Sequence, residues 1–175
     1  CVRKVIRYAL QKGQINQLKE YDYRQPQGYW PKLSLFEDIK FFFRQFETPD
    51  TKKRVRDFIQ IARAIQKNGE SIAFELLGSV NFGMSNTKSD VDLVMYHMCN
   101  PKWECNMEKC PKSKHYQFLL LHTLLYEVAD DRYPLEVVDC INLRKVLNAI
   151  DRGDSNDDFL IRFAFYRRIG RAVNK

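Results

Sequence analysis

Gly78, Ser79, Asp90 and Asp92 lie within one short segment, Leu77 to Val94, and their types and spacing suit phosphate and metal chemistry. In an extended strand Asp90 and Asp92 point to the same face, about 6.6 Å apart along the chain. Carboxylates placed this way can converge on one or two hard cations, such as Mg²⁺ or Mn²⁺, through oxygen ligands. Two metals about 3.5–4 Å apart would clamp the attacking and leaving oxygens of an in-line phosphoryl displacement. Gly78 lets the backbone approach a ligand closely and Ser79 adds a hydroxyl. A short helix starting at Val80 would turn its free N–H groups toward phosphates. Gly83 permits a sharp change of direction before the carboxylates. An Asp-x-Asp pair alone often decorates an exposed strand, although Asp is a poor strand former. Its weight here comes from Gly78-Ser79, with ten residues between Ser79 and Asp90.

These residues need elements to hold them. Ile72–Leu77, Val91–Tyr96 and Leu135–Ile141 are short apolar runs bounded by turn residues, and each reads as a strand. Upstream, Val2, Val5, Ile6, Ala9 and Leu10 recur at helical spacing, and Tyr21 to Pro31 reads as a loop. Ser34-Leu35-Phe36-Glu37 looks like a capping box opening a helix through Phe46. Its Phe41, Phe42, Phe43 and Phe46 are expected to pack on the core. Thr48-Pro49-Asp50 starts another helix, with Val55, Phe58, Ile59, Ala62 and Ile65 on one face and Asn68-Gly69 as its stop. Tyr116–Ala129 reads as helical, and two closing helices are expected at Leu143–Ile150 and from Asp157 to Val173. The expected architecture is α+β: a helical extension over residues 1–70 packed on a core at 71–175, whose mixed sheet is flanked by helices.

The finer pattern is Gly78-Ser79, three residues, Gly83, five residues, then Ser89-Asp90-Val91-Asp92-Leu93. It resembles the DNA polymerase beta-like nucleotidyltransferase superfamily, in the form found in poly(A) polymerases, terminal uridylyltransferases and minimal nucleotidyltransferases. The resemblance implies a mixed sheet flanked by helices, Mg²⁺ or Mn²⁺, a nucleoside triphosphate such as ATP, and transfer of a nucleoside monophosphate to a hydroxyl acceptor. That acceptor is RNA, a protein side chain or a small molecule. Gly78, Ser79 and Ser89 would meet the nucleotide, and Asp90 and Asp92 the metal.

The resemblance also implies a third carboxylate on a later strand, in many members the base for the attacking hydroxyl. Asp139 and Glu136 are the candidates, and strict alternation puts them on opposite faces of one strand. Asp139, inside the apolar run, is the favoured residue. Bacterial class I adenylate cyclases look similar around the same residues, so a nucleotidyl cyclase is the alternative enzyme. A non-catalytic nucleotide-binding or interaction module is the alternative without turnover, and paired carboxylates argue against it. Large RNA-tailing members carry a second helical domain, which is not expected in the 34 residues after Ile141.

Weaker constellations surround this core. Cys99, Cys105, Cys110 and His115 could hold structural Zn²⁺, but their spacing is looser than the usual Cys-x₂-Cys, and reduced thiols explain them as well. Tyr21, Tyr23, Tyr29 and Trp30, among Arg24 and Lys32, have the make-up of a base-stacking surface or of a core cover. Arg162, Arg167, Arg168 and Arg171 read as a solvated helix face, with a triphosphate as the alternative partner. His97 and His122 read as packed. The net charge is +7, with seven basic and two acidic residues in 1–33 and one basic against three acidic in 71–100. A basic surround with an acidic centre suits a phosphorylated ligand at metal-binding carboxylates. Five cysteines without a secretory leader point to a reduced, cytoplasmic setting, and no run is long and apolar enough for a membrane.

Overall fold

The computed structural model describes residues 40, 41, 43–70, 72–99, 110–124 and 134–173. The first helix, the Tyr21–Pro31 loop with its aromatic cluster, the capping box at Ser34–Glu37 and Cys105 lie outside them. Lys40, Phe41, Phe43 and Arg44 are helical. Phe41, Phe43 and Phe46 are exposed, against the expectation that they pack on the core. Among the described residues of this segment the buried side chain is Lys40, whose ammonium donates to the Arg168 and Ile169 carbonyls at 3.2 and 3.4 Å.

Helix α1 spans Pro49–Lys67. It starts where its cap chemistry predicts: Thr48 accepts the Thr51 N–H at 3.1 Å, Pro49 fills the first turn and Asp50 meets the positive helix end. Strand β1 (Ile72–Leu76), the short helix α2 (Gly78–Phe82) and strand β2 (Val91–His97) follow. Helix α3 (Pro111–Thr123) then leads to strand β3 (Leu135–Asn142). Helix α4 (Leu143–Arg152) is capped by Asn142 and helix α5 (Asp158–Ile169) by Asp157. The last helix stops at Ile169 rather than Val173. After Gly170 the chain becomes extended and Arg171–Ala172 forms strand β4, whose two residues gave no apolar run to read.

The strands form one mixed sheet in the order β3-β2-β1-β4. β2 pairs antiparallel with β1 and parallel with β3, while β4 pairs antiparallel with β1. Alternation along the strands sends two apolar sets in opposite directions. Phe74, Leu76, Leu93 and Met95 meet Phe58, Ile61 and Ile65 of α1 and Leu120 of α3. Ala73, Val94, Tyr96 and Ile141 meet Val146 and Ala149 of α4 and Leu160 and Phe163 of α5. The protein is therefore α+β, a four-stranded mixed sheet covered by helices on both faces. Large fully buried side chains such as Phe58, Phe74 and Phe163 contribute roughly 1.5–3 kcal/mol each. Among the described residues, no helix is long and apolar enough to cross a membrane.

Candidate functional site

The carboxylates sit where two parallel strands begin. Asp92 is the second residue of β2 and lies directly opposite Glu136 on β3, while Asp90 immediately precedes β2. Oxygens of Asp90, Asp92 and Glu136 all lie within 4.8 Å of one another. Asp90 and Glu136 are exposed and Asp92 is half-buried. The Asp92 pKa is raised above its ordinary value, first by burial, then by the charges of Asp90 and Glu136 and a hydrogen bond to Glu136. A divalent cation among these oxygens would relieve that repulsion. The donor set is all carboxylate, which suits a hard cation such as Mg²⁺, Mn²⁺ or Ca²⁺ and not a soft one.

The Gly-Ser turn lies directly against this group. Gly78 has φ +58°, and a β-carbon there would overlap Oδ2 of Asp92. The Leu77 N–H donates to the Asp92 carbonyl at 2.8 Å, which fixes the turn beside the carboxylate strand. Only glycine meets both demands, a positive φ and no β-carbon against the carboxylate. The short helix begins at Gly78, two residues before the expected Val80. Ser79 is half-buried in its first turn, and its carbonyl accepts the Met84 N–H at 2.9 Å. Gly83 reverses the chain with φ +80°. Ser89 closes the approach to Asp90: its hydroxyl oxygen accepts the Asn86 N–H at 3.0 Å, and its own N–H returns to the Asn86 carbonyl at 3.0 Å.

The expectation that alternation puts Glu136 and Asp139 on opposite faces fails at a β-bulge. Asp92 pairs with Glu136 and Leu93 with Val137, but Val94 pairs with Asp139, so Val138 is an extra residue. Glu136 and Asp139 consequently share the face that carries Asp92 and Val94, where alternation had placed them on opposite faces. Glu136 is the one brought to Asp90 and Asp92. Asp139 lies one step further along the strand and is occupied by Arg162 of α5, whose Nη1 sits 2.7 Å from each carboxylate oxygen. Arg162 also bonds Asp158 and lies over the Phe159 ring. Burial, then Asp139, pushes the Tyr166 hydroxyl up to about 12.

The other candidates find structural partners. Arg167 of α5 is paired with the buried Glu75 of β1, and Arg171 of β4 with Glu47, which lies just before α1. His97 is buried beside the Tyr116 ring, as expected, whereas His122 is exposed against Phe118. Cys99 exchanges backbone hydrogen bonds with the Asn142 amide at 3.2 Å each, and His115 meets Glu70 at 3.3 Å. Among the described residues, Asp90, Asp92 and Glu136 form the group able to hold a metal, and Cys99, Cys110 and His115 do not form another. Glu75 had escaped notice, though a lone acid in the run Ile72–Leu76 was its signal. The chain matches no protein-family model, no curated protein and no solved structure.

Proposed function

We propose that this protein is a metal-dependent nucleotidyltransferase, acting on a nucleoside triphosphate at Asp90, Asp92 and Glu136. The observation that carries the reading is the convergence of these carboxylates on a glycine turn with no room for a β-carbon beside Asp92. A phosphate approach beside a cation-binding face is what this chemistry needs, and the convergence supports that reading. Asp90, Asp92 and Glu136 would hold Mg²⁺ or Mn²⁺, which supplies charge neutralisation to the triphosphate and to the attacking oxygen. In the reaction the acceptor hydroxyl loses its proton and forms a new bond to the α-phosphorus. The bond from that phosphorus to the bridging oxygen breaks, and pyrophosphate leaves. Glu136, exposed like Asp90, would take the proton, the role expected of Asp139. Ser79 and Ser89 lie on either side of the loop that joins the turn to Asp90. RNA, a protein side chain and a small alcohol remain the acceptor classes.

The test is incubation of the full chain with each labelled triphosphate, Mg²⁺ or Mn²⁺ and acceptors of each class, read by mass spectrometry and pyrophosphate release. Nucleotide-bearing product that vanishes with EDTA and in Asp90→Ala/Asp92→Ala is the expected outcome. Equal turnover by that double variant would overturn the metal assignment. Cyclic nucleotide as the sole product would instead identify a cyclase.

A further inference from the structure

The loop that delivers Asp90 is tied to the N-terminal half of α1 by a buried polar chain that the proposed reaction does not itself use. Thr51 and Ser85 are fully buried, and their hydroxyls lie 2.7 Å apart. The Ser85 hydroxyl donates to Asp50 Oδ2 at 2.9 Å, so its single proton is spent and Thr51 is the donor between the two hydroxyls. Thr51 Oγ1 in turn accepts the Ser85 N–H at 3.0 Å. The Thr48 hydroxyl reaches the Ser85 carbonyl at 2.6 Å, and the Thr48 N–H reaches the Gly83 carbonyl at 3.0 Å. Every backbone polar group of Ser85 is thereby fixed by the first turn of α1.

Arg54 extends the chain to the carboxylate. Only 2% exposed, it donates through Nε to Asp50 Oδ2 at 2.7 Å and through Nη2 to the Asn86 carbonyl at 2.8 Å. That carbonyl also accepts the Ser89 N–H at 3.0 Å, and the Asn86 side chain accepts the Lys88 N–H at 2.9 Å. Asp90 then leaves a turn held by Arg54 and enters β2, where the Val91 N–H meets the Pro134 carbonyl at 2.9 Å. A surface loop carrying an exposed ligand needs no such buried connection for stability alone, because loops normally satisfy their backbone with water.

We propose that Asp50, Thr51 and Arg54 are positioning residues for the carboxylate site: they fix the loop of Gly83–Ser89 and so set the affinity of Asp90, Asp92 and Glu136 for a divalent cation. The inference rests on the metal-binding reading of those carboxylates. Groups that orient metal ligands typically control affinity by about 10–100-fold.

The experiment is Mn²⁺ titration of the full chain, with free Mn²⁺ read by electron paramagnetic resonance. The variants are Thr51→Val, Thr51→Ser and Arg54→Lys, with Val146→Ala, in the core across the sheet from α1, as a control for general destabilisation. Thr51→Val keeps the shape and removes the hydroxyl, and Arg54→Lys cannot span both Asp50 and Asn86. Both are expected to weaken Mn²⁺ binding at least about tenfold. Thr51→Ser, which keeps the hydroxyl, and Val146→Ala should bind as the wild type does, whatever their melting temperatures. Unchanged affinity in folded Thr51→Val and Arg54→Lys overturns the positioning role and leaves the site reading intact. Absence of Mn²⁺ binding by the wild type removes the site reading, and this inference with it. If Thr51→Val does not fold, Arg54→Lys and the milder Ser85→Ala carry the same comparison.

Discussion

Glu75→Gln offers a direct measure of how much a buried charge costs this fold. Glu75 is 1% exposed, the fourth residue of β1, with Arg167 against its carboxylate. Burial raises its pKa from 4.5 to about 7, although the charge and hydrogen bond of Arg167, then Lys40 and Tyr96, pull it back. A carboxyl with a raised folded pKa binds its proton more tightly in the native state. Its stabilisation is complete below pH 4.5, where both states are protonated, and is lost as pH rises toward 7. At about 1.4 kcal/mol per pKa unit, the loss is about 3 kcal/mol. Glutamine is uncharged at every pH and keeps an oxygen for Arg167, so it removes this dependence. Urea unfolding of both proteins at pH values from 4.5 to 8 provides the assay. The stability difference between them should grow with pH in favour of Glu75→Gln by about that amount, other groups cancelling in the subtraction. Parallel stability curves would refute the reasoning, because the Arg167 pair would then fully offset burial, and a difference growing in favour of Glu75 would mean that the pair outweighs it.

Gly78→Ala should destabilise by about 1–3 kcal/mol through its positive φ alone, and should also displace Asp92, so stability in urea and Mn²⁺ affinity should fall together. A change in stability with unaltered Mn²⁺ binding would separate the turn from the site. Glu136→Gln should weaken Mn²⁺ binding and abolish turnover, while Asp139→Asn should leave Mn²⁺ affinity near wild type and act on stability through Arg162. The reverse order would restore Asp139 as the third carboxylate. Triphosphate should raise the melting temperature only with a divalent cation, by the equivalent of about 2.7 kcal/mol at one hundred times its dissociation constant. An equal shift in EDTA would contradict the coupling of phosphate to the carboxylates.

The parts of the fold that follow from local chemistry were legible. Thr48-Pro49-Asp50 starts α1 and Asn68-Gly69 ends it because capping and αL geometry are properties of a few adjacent residues. The apolar runs became β1, β2 and β3 for the same reason. Gly78 beside Asp92 was readable as a close backbone approach, though not its target. What was not legible depends on pairing between distant segments. No periodicity marks Val138 as an extra residue, since a bulge is decided by how β3 registers on β2. The arginines of α5 look like a solvated face from their spacing alone. Their partners Asp139 and Glu75 lie 23 and 92 residues earlier, and the sheet brings them together. Phe41, Phe43 and Phe46 misled because apolar character does not say which face a helix turns inward.

The bulge in β3 also bears on how the molecule meets copies of itself. Among the described residues β3 is an outer strand of the sheet, eight residues long, and a long free strand is a template for another chain. The extra residue breaks the regular spacing of donors and acceptors that such a template requires, and it increases the local twist. Val138 is 43% exposed at the break, with Glu136 and Asp139 on either side. An incoming strand would have to match the irregular backbone while drawing two acids toward its own side chains. The extra residue that puts Asp139 on the same face as Glu136 thus also discourages edge-to-edge association. Deleting Val138 would restore a regular edge, with self-association as its expected consequence.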